Sequence, residues 1–439
     1  MKNNMVNQRT GNGQPTGADL ASADGRKPDG PILFSFFSGL GFLDLGFEKA
    51  GYRSVFVNEF RPPFLAAYKY ARTQLKISAP DYGYFEGDVS KFIAEKRSWL
   101  ASRVKEARQG GRLVGFIGGP PCPDFSIGGK NKGREGERGK LSHTYVQLIL
   151  EQKPDFFLFE NVKGLWQTKR HREFYEELKT QLQDGSYITT ERLINSIEYA
   201  APQDRPRIIL IGFRRGVVRD LGVRLGSGIK ELPPGLFPWH GKAKYPDGRA
   251  FEFSWPETTR FEVDSEQPRP ADLPDELTVQ HWFRKNDVAN HPNSLHCFKP
   301  RAGLARFMSV AEGDDSRKSF KRLHRWRYSP TVCYGNNEVH LHPYKPRRIS
   351  AAEALALQSL PKEYVLPDDM SLSDMFKGIG NGVPFLAGRA IAETILTFLE
   401  NPHESNGVRS RESDSPSTPK PLLSLRQRQD SHSTTDSQC

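Results

Sequence analysis

Cysteine is scarce in this chain, and its number and spacing exclude a disulfide-stabilised protein and a standard zinc-binding protein. Among 439 residues there are four cysteines, at positions 122, 297, 333 and 439. No two of them form a CxxC pair, so the sequence excludes a disulfide framework and favours a reducing compartment. A histidine-rich group could be assembled around two of them, but its spacing matches no zinc pattern, so we predict no metal site. That group comprises His291, His296, Cys297, Cys333, His340 and His342.

Long apolar runs and a surplus of acid are also missing. No run is long enough to cross a membrane and the N-terminus has no apolar signal core, so we expect a cytoplasmic protein without membrane contact. The 63 lysines and arginines outnumber the 52 aspartates and glutamates, which gives a formal net charge of +11. Such an excess is typical of proteins that bind a polyanion, most often nucleic acid; a basic soluble protein of another class is the alternative.

The composition changes along the chain. Residues 1–29 are rich in Gly, Asn, Asp and Pro, and residues 402–439 in Ser, Thr, Pro, Arg and Asp, so both segments are predicted to be disordered. From 215 onward prolines, glycines and isolated aromatics dominate, and between 281 and 330 eleven basic residues stand against four acidic ones. We predict a smaller, basic, irregular domain there. Regular patterning resumes at 348–358 and in a final helix near 385–399.

The segment 30–214 predicts an α/β fold. Apolar runs predict strands at 31–37, 53–58, 112–118, 155–160, 190–197 and 207–213, and helical patterns lie at 42–50, 62–76, 91–107, 141–152 and 168–183. Strand–helix alternation predicts a mostly parallel, Rossmann-like sheet with helices on both faces. The last two strands are joined only by Tyr199 to Pro206, which is too short for a helical crossover, so we expect an antiparallel pair.

A glycine-containing turn follows the first predicted strand. Gly39 and Gly41 allow a ligand to approach the backbone closely. A dinucleotide fingerprint would need a third glycine where Asp44 stands, so the turn suits a nucleoside ligand without a diphosphate and excludes a nicotinamide enzyme.

Three residues after later strands extend this nucleoside interpretation. Glu59 could bond two ribose hydroxyls, as an acid after the second strand does in nucleotide-binding folds. Phe60 could stack on an adenine, and Asp88 could accept from the adenine amino group. For each acid taken alone, a helix cap or a solvated charge is the alternative.

A cysteine stands just past the end of another predicted strand. The apolar run Leu113–Ile117 leads into Gly118-Gly119-Pro120-Pro121-Cys122, at the carboxyl end of a strand, where ligands bind in open α/β sheets. Two prolines stiffen the approach, and several glycines loosen the loop that follows: Gly128, Gly129, Gly133, Gly136 and Gly139. This combination indicates a nucleophile under a flexible lid. The alternative is a buried thiol that only packs.

Two further places in the sequence have side chains suited to catalysis or to binding an anion. Glu160 ends an apolar strand, where burial raises the pKa of a carboxyl group into the range of a proton donor; a helix N-cap is the alternative. Arg205 and Arg207 lie at alternate positions and, if they project to one side, offer two guanidinium forks for a phosphate or a base oxygen. An ordinary surface pair is the alternative there.

Taken in order, these motifs resemble the cytosine-C5 DNA methyltransferase family of bacterial restriction–modification systems. The blocks span about 31–214 and 346–400, and the basic segment between them corresponds to the family's target-recognition region. In chain order they are Phe37–Gly41, Asn58-Glu59, Gly87–Val89, Gly118–Ser126, Arg138–Leu141, Glu160–Val162, Gln203–Arg207, Arg347–Pro361 and Gly380–Pro384. Pro123, Ser35 and Ser142 depart from the family pattern, which usually has Gln, an acid and Phe there.

The resemblance implies a covalent mechanism on a cytosine flipped out of double-stranded DNA. The Cys122 thiolate would add to C6, Glu160 would protonate or hydrogen-bond N3, and Asn161 would help place that carboxyl group. Arg205 would contact the base oxygen or the thiolate region, and Arg207 would brace the loop and phosphates. C5 would take the methyl group of S-adenosyl-L-methionine and then lose its proton as Cys122 leaves.

The resemblance also implies the binding residues and the domain plan. The cofactor would lie against Phe37, Gly39, Leu40, Gly41, Glu59, Phe60, Asp88, Val89, Leu141, Asn381 and Val383. DNA contacts would come from Ser126, Lys130, Lys132, Arg134 and Gln203. A catalytic domain would comprise 30–214 and 376–401 and a target-recognition domain 215–375, which the Arg347–Pro361 block would organise. We expect a monomer.

Two other functions fit parts of this pattern. An RNA cytosine-C5 methyltransferase uses the same scaffold, but the long basic segment 215–345 argues against it. A catalytically inactive DNA-binding homologue would not need the intact set of Cys122, Glu160 and Arg205.

Overall fold

The computed structural model describes residues 30–121, 137–317, 319–332, 334 and 338–402. The predicted disordered segment 1–29 and all but the first residue of the predicted tail 402–439 therefore lie outside the described residues.

The described part of the chain contains a sheet of seven strands. They are β1 (Ile32–Phe36), β2 (Arg53–Glu59), β3 (Tyr84–Glu86), β4 (Val114–Gly118), β5 (Phe156–Val162), β6 (Tyr187–Asn195) and β7 (Pro206–Arg214). The strand order is β3-β2-β1-β4-β5-β7-β6. Strand β7 runs antiparallel to both of its neighbours, and the other pairings are parallel. The predicted α/β class and its antiparallel pair are thus confirmed.

The bounds of the α-helices agree with the predicted ranges less closely than those of the strands do. Those of the first half are α1 (Phe42–Lys49), α2 (Pro62–Gln74), α3 (Arg97–Arg108), α4 (Glu137–Gln152), α5 (Lys163–Gln167), α6 (Lys169–Asp184) and α7 (Arg215–Asp220). The later ones are α8 (Val279–Lys285), α9 (Leu304–Met308), α10 (Ala351–Leu357), α11 (Leu372–Asn381) and α12 (Phe385–Glu400). The helix predicted at 91–107 is wrong in its first turn, where Asp88 caps a short 3₁₀ helix, Val89–Phe92.

Alternate residues of the central strands pack against different helices. Phe34, Phe116 and Phe157 belong to an apolar cluster shared with α3, α4 and α6. Their neighbours Leu33, Ile117 and Leu158 belong to a second cluster, shared with α1, α7 and α12. Because successive side chains of a strand point to opposite faces, the sheet is buried on both sides. That burial explains why its strands appear in the sequence as nearly continuous apolar runs.

A third apolar cluster joins the irregular segment to the start of the fold. It contains Leu40 and Phe42 near the first turn, Trp282 of α8 and Tyr364, together with residues of α10 and α11. The described residues of the segment 215–345 form few regular elements, as predicted, and hydrogen bonds from buried arginines stabilise the segment instead. Arg322, for example, donates to the carbonyl oxygens of Val310, Phe307, His342 and Lys345.

Helices α11 and α12 together form one long apolar stretch. The stretch Leu372–Glu400 is long and apolar enough to cross a bilayer by length and composition alone, contrary to the expectation that no such run exists. However, 61% of its most apolar window is buried inside the protein, and Gly382–Pro384 separates the two helices. The stretch is a pair of core helices in this structure.

Candidate active site

The turn between β1 and α1 has an unusual backbone. Phe37, Gly39 and Gly41 all have positive φ angles, of 55°, 57° and 82°. A Cβ atom on Gly41 would lie 2.3 Å from the ring of Tyr68, so both the conformation and the space require glycine at that position. This conformation exposes main-chain groups of the turn at the carboxyl end of β1, beside the carboxyl ends of β2 and β4.

Glu59 anchors this turn. One carboxylate oxygen accepts from the backbone N–H of Gly39 and the other from that of Arg61, each at 2.8 Å. Burial raises the pKa of Glu59, and the N–H donors of Arg61 and Gly39 oppose that rise. Each carboxylate oxygen has a second lone pair, so the ribose contact predicted for Glu59 is compatible with these bonds and stays a prediction.

The other predicted adenine contacts lie near the ends of β2 and β3. The ring of Phe60 is 64% exposed, as a platform for a stacked base requires. Asp88 accepts from the backbone N–H of Ser90 at 2.7 Å, which is the capping role left open as its alternative. Asn58, which was not predicted as a site residue, donates to the carbonyl oxygens of Gly87 and Phe85 and ties the two strand ends together.

The remaining predicted cofactor residues fall into two groups. The side chains of Leu40, Val89 and Val383 are buried, so only their backbones remain for a ligand. Phe37 and Leu141 are half-buried beside the β1–β4 strand ends, and Asn381, the last residue of α11, is exposed. A Cβ atom on Gly378 of α11 would lie 2.8 Å from Leu40, so the structure brings α11 against the first turn. The cofactor contacts of Asn381 and Val383 stay predictions.

The reacting end lies where β4 and β5 finish. Gly118 pairs with Phe159, so the residues that follow each strand are neighbours. A Cβ atom on Gly119 would lie 2.5 Å from a carboxylate oxygen of Glu160, and the amide of Asn161 donates to the carbonyl oxygen of Pro120 at 3.3 Å. The segment that leads to Cys122 is therefore held against Glu160 and Asn161.

Glu160 is buried and paired with one arginine. The Nε atom of Arg207 lies 3.0 Å from Oε1 of Glu160. Burial raises the pKa of Glu160 from its ordinary value, and the charges of Arg207 and Arg205 oppose the rise. The raised pKa predicted for this residue is confirmed in direction, and the helix-cap alternative does not describe its contacts.

Arg205 occupies a different position from Arg207. It is fully buried, and its guanidinium donates to the carbonyl oxygens of Val332 at 3.1 Å and Gly380 at 2.7 Å. It therefore links the β6–β7 connector to the irregular segment around Val332 and to α11. The surface-pair alternative is wrong for both arginines, and Arg207 is the one whose side chain pairs with Glu160.

Gln203 is not placed as predicted. Its side chain is fully buried, and its amide donates to the carbonyl oxygen of Leu357 at the end of α10. The DNA contact expected of Gln203 is replaced here by a contact inside the protein. The β6–β7 connector that carries Gln203 pairs with Ser329 through a parallel β-bridge, which keeps the side chain in the interior.

Several predicted residues cannot be located. Cys122, Ser126, Lys130, Lys132 and Arg134 lie outside the described residues. Within the part of the chain that the structure describes, no group of three or more His, Cys, Asp or Glu side chains is arranged to hold a metal ion.

Comparison with known proteins identifies the family. The model of the C-5 cytosine-specific DNA methylases matches residues 33–397. Type II methyltransferase M.NmeDI of Neisseria meningitidis serogroup C is 55% identical over 404 residues, which cover 92% of this chain and 91% of the relative. Type II methyltransferase M.XorII of Xanthomonas oryzae pv. oryzae is 30% identical, over 85% of this chain and 86% of the relative.

Solved structures agree on the fold. A putative DNA modification methyltransferase encoded within a prophage of Escherichia coli superposes with a TM-score of 0.54 at 21% identity, over 84% of this chain and the whole of that one. The methyltransferase EhMeth of Entamoeba histolytica superposes with a TM-score of 0.51 at 12% identity, over 84% of this chain and 98% of that one.

Proposed function

This chain belongs to the C-5 cytosine-specific DNA methylases, and we propose which of its residues carry out the reaction of that family. The protein is an S-adenosyl-L-methionine-dependent DNA (cytosine-5)-methyltransferase. The observation that carries the residue assignment is the junction of β4 and β5, where Gly119 lies against the buried carboxyl group of Glu160.

In the proposed reaction, a cytosine leaves the duplex and reaches Glu160 at the carboxyl ends of β4 and β5. The thiolate of Cys122 attacks C6, so that the Sγ–C6 bond forms as the C5–C6 π bond opens. Glu160 gives a proton or a strong hydrogen bond to N3, which neutralises the charge of the adduct and leaves an enamine whose C5 is nucleophilic. A carboxyl group with a raised pKa suits this task because it keeps its proton nearer to neutral pH.

S-adenosyl-L-methionine, when bound, would supply the methyl group to C5 and leave as S-adenosyl-L-homocysteine, while the proton on N3 returns to Glu160. A water molecule then takes the proton from C5, the electron pair of that C–H bond restores the C5–C6 double bond, and the Sγ–C6 bond breaks to release the Cys122 thiolate. Asn161 supports these steps by holding the carbonyl oxygen of Pro120. That contact fixes the approach of the nucleophile relative to Glu160.

We assign the two arginines opposite roles to those expected from the resemblance. Arg207 is the base-contacting or thiolate-stabilising group, because its guanidinium pairs directly with Glu160. Arg205 is the bracing group, since its guanidinium is occupied by the carbonyl oxygens of Val332 and Gly380. A guanidinium near the thiol also lowers the pKa of the thiol and favours the thiolate.

The turn at Gly39–Gly41, with Glu59 and Phe60, is the proposed cofactor site. The residues fit an adenosine moiety: a buried carboxylate for hydroxyl groups, an exposed aromatic ring for the base, and open space at Gly39, where an added Cβ atom would meet no atom within 4 Å. The ends of β3 and α11, with Asp88 and Asn381, close the same site.

We further propose the context of the activity. Both curated relatives described above are Type II methyltransferases, so this enzyme protects host DNA from a matching endonuclease in the bacterial cytoplasm. Residues 215–375 form its target-recognition domain, residues 30–214 with 376–401 its catalytic domain, and the enzyme acts as a monomer. Light scattering of the purified protein tests the last point, and a dimer mass would contradict it.

The experiment that tests the function is covalent trapping. DNA with 5-fluorocytosine at the target holds the enzyme as a stable adduct, because fluorine at C5 cannot leave as a proton does. Wild type with S-adenosyl-L-methionine should give a denaturation-resistant complex, and Cys122→Ser should bind the DNA without forming one. The target is found beforehand by bisulfite sequencing of treated plasmid. An adduct that forms equally well with Cys122→Ser would refute the nucleophile.

A further inference from the structure

Three successive residues of the turn between β1 and α1 are each held by a distant side chain. Glu59 of β2 accepts from the N–H of Gly39 at 2.8 Å. Arg72 of α2 donates to the carbonyl oxygen of Gly41, also at 2.8 Å. Between them, the hydroxyl group of Tyr364 donates to the carbonyl oxygen of Leu40. The three tethers come from three separate parts of the chain.

The turn needs such contacts because its backbone conformation is one that residues with a side chain disfavour. Three of its five residues lie in the left-handed region, and Phe37 among them has a side chain, so it is strained by roughly 1–2 kcal/mol. The peptide group between Leu40 and Gly41 is held from two sides: the N–H of Gly41 donates to the carbonyl oxygen of Ser38 at 2.8 Å within the turn, and Tyr364 donates to the carbonyl oxygen of Leu40 from outside it. Loss of the outer bond leaves only the local one, so the contact with Tyr364 helps to fix which backbone groups of the turn face a ligand.

Tyr364 is well suited to hold the Leu40 peptide. Its side chain is fully buried, and its ring packs edge-on against Phe42, with ring centroids 5.2 Å apart. Burial raises the pKa of its hydroxyl group, so the proton that it donates is not lost at physiological pH. Because Leu40 is buried as well, water cannot readily replace the lost donor, and its carbonyl oxygen depends on this one hydroxyl group.

The segment that carries Tyr364 is itself held by the irregular, basic region. The side-chain amide of Asn293 makes two hydrogen bonds with the backbone of Leu366, of 2.9 and 2.8 Å. The side chain of Asn286 donates to the carbonyl oxygen of Leu360 at 2.8 Å. Hydrogen bonds from residues 286–293 therefore hold both ends of the segment 360–366, and Tyr364 within that segment bonds to the turn.

We propose that Tyr364 is a positioning residue for S-adenosyl-L-methionine, and that through it the recognition region helps to set the affinity for the cofactor. Tyr364 does not touch the cofactor. It fixes the Leu40 peptide, and the turn presents its binding surface only while that peptide is fixed. The inference rests on the proposed use of this turn as the cofactor site.

The test compares two substitutions that remove the same chemical group. Tyr364→Phe removes one buried hydroxyl group that donates to a backbone carbonyl oxygen. Tyr187→Phe is the matched control: Tyr187 is also fully buried, and its hydroxyl group donates to the carbonyl oxygen of Pro154 at 2.7 Å, in β6 at the far edge of the sheet. Urea denaturation should show that both variants lose unfolding free energy, because each leaves one buried acceptor unpaired. The loss should be at least as large in Tyr364→Phe, since the hydroxyl group of Tyr364 also pairs with the side chain of Arg72.

Cofactor binding separates the two variants. By calorimetry, Tyr364→Phe should raise the dissociation constant for S-adenosyl-L-methionine roughly five- to tenfold, as one lost hydrogen bond implies, and raise KM for the cofactor in proportion. Its kcat should stay within about twofold of wild type, because the reacting groups are untouched. Tyr187→Phe should leave both constants unchanged. Equal cofactor affinity in the two variants would overturn the inference.

Two further variants isolate the parts of the inference. If Glu59→Gln leaves cofactor affinity unchanged, the cofactor site itself is misplaced; if Glu59→Gln weakens binding and Tyr364→Phe does not, only the positioning role fails. Asn293→Ala should weaken cofactor binding when it is made in the wild-type protein. In the Tyr364→Phe protein it should weaken binding little further, since both substitutions act through the contact between Tyr364 and Leu40. Fully additive effects would refute the connection to the recognition region.

Discussion

The substitution Glu160→Gln tests the chemistry proposed for the active site. Glu160 is buried, and its Oε1 lies 3.0 Å from Nε of Arg207. A glutamine amide keeps the shape and can still accept from Arg207, but it has no acidic proton to share with N3 of cytosine. General acid catalysis contributes about 10²–10⁴-fold in rate, so we expect kcat to fall by about that factor, which corresponds to roughly 3–5 kcal/mol in barrier height.

Stability should change less than rate. Removing the carboxylate leaves the guanidinium of Arg207 with a neutral partner in a buried setting, which costs about 1–3 kcal/mol of unfolding free energy. Affinity for S-adenosyl-L-methionine should be unchanged because the turn at Gly39–Gly41 is anchored by Glu59 instead. Single-turnover transfer of a labelled methyl group to the identified target site measures the rate, and calorimetry measures cofactor affinity.

A matched control exists in the same domain. Glu198 is also buried, its pKa is raised to about 7 by burial against the opposing charge of Arg192, and the two side chains lie 3.2 Å apart. Glu198→Gln should destabilise the protein to a similar degree and leave kcat near the wild-type value. A Glu160→Gln enzyme that transfers methyl groups within threefold of the wild-type rate would remove Glu160 from the mechanism.

The pH profile provides a second measure of the same role. Because burial raises the pKa of Glu160, its protonated form persists to a higher pH than that of an ordinary carboxyl group. A proton donor is lost as pH rises through its pKa. The loss of the Glu160 proton should therefore lower the wild-type single-turnover rate, and this decline should occur at a higher pH than for an ordinary carboxyl group. Thiolate formation at Cys122 gives the opposite, rising component. In Glu160→Gln only the rising component should remain, and an unchanged profile would refute the assignment.

Three other predictions follow from the contacts. Phe60→Ala should weaken S-adenosyl-L-methionine binding by about 1–3 kcal/mol, the range for stacking of a base on an aromatic ring, with no change in melting temperature because Phe60 is exposed; unchanged affinity would contradict its stacking role. Burial raises the pKa of Asp44 to about 6, so the folded state binds its proton more tightly than the unfolded state, and unfolding free energy should fall by up to about 3 kcal/mol as pH rises from about 4 to 6. Urea denaturation should find this decline reduced in Asp44→Asn, and an identical decline in both proteins would refute it. Arg205→Ala should mainly lower stability and Arg207→Ala mainly kcat, and the reverse result would restore the roles expected from the resemblance.

Local sequence was sufficient for most of the sheet. Long apolar runs such as Phe156–Val162 predict buried strands because a strand covered on both faces tolerates few polar residues. By contrast β3 was missed, since Tyr84–Glu86 has three residues, is only partly buried and pairs along one edge. Helix α11 was missed because Gly378 and Gly380 interrupt its pattern, and those glycines are explained only by close neighbours, Leu40 and Tyr334.

The sequence by itself determined the family, the chemistry and the order of the sites, because each motif is a short run whose residue types are required by a local turn or by the reaction. Only the tertiary structure decided which side chain does what. The register of β5 against β7 places Arg207 opposite Val162, so Arg207 rather than Arg205 pairs with Glu160. Gln203 is buried, and Tyr364 reaches Leu40 across more than 300 residues, because packing between distant segments sets both positions. No local pattern encodes such contacts, since they depend on which surfaces meet when the chain folds.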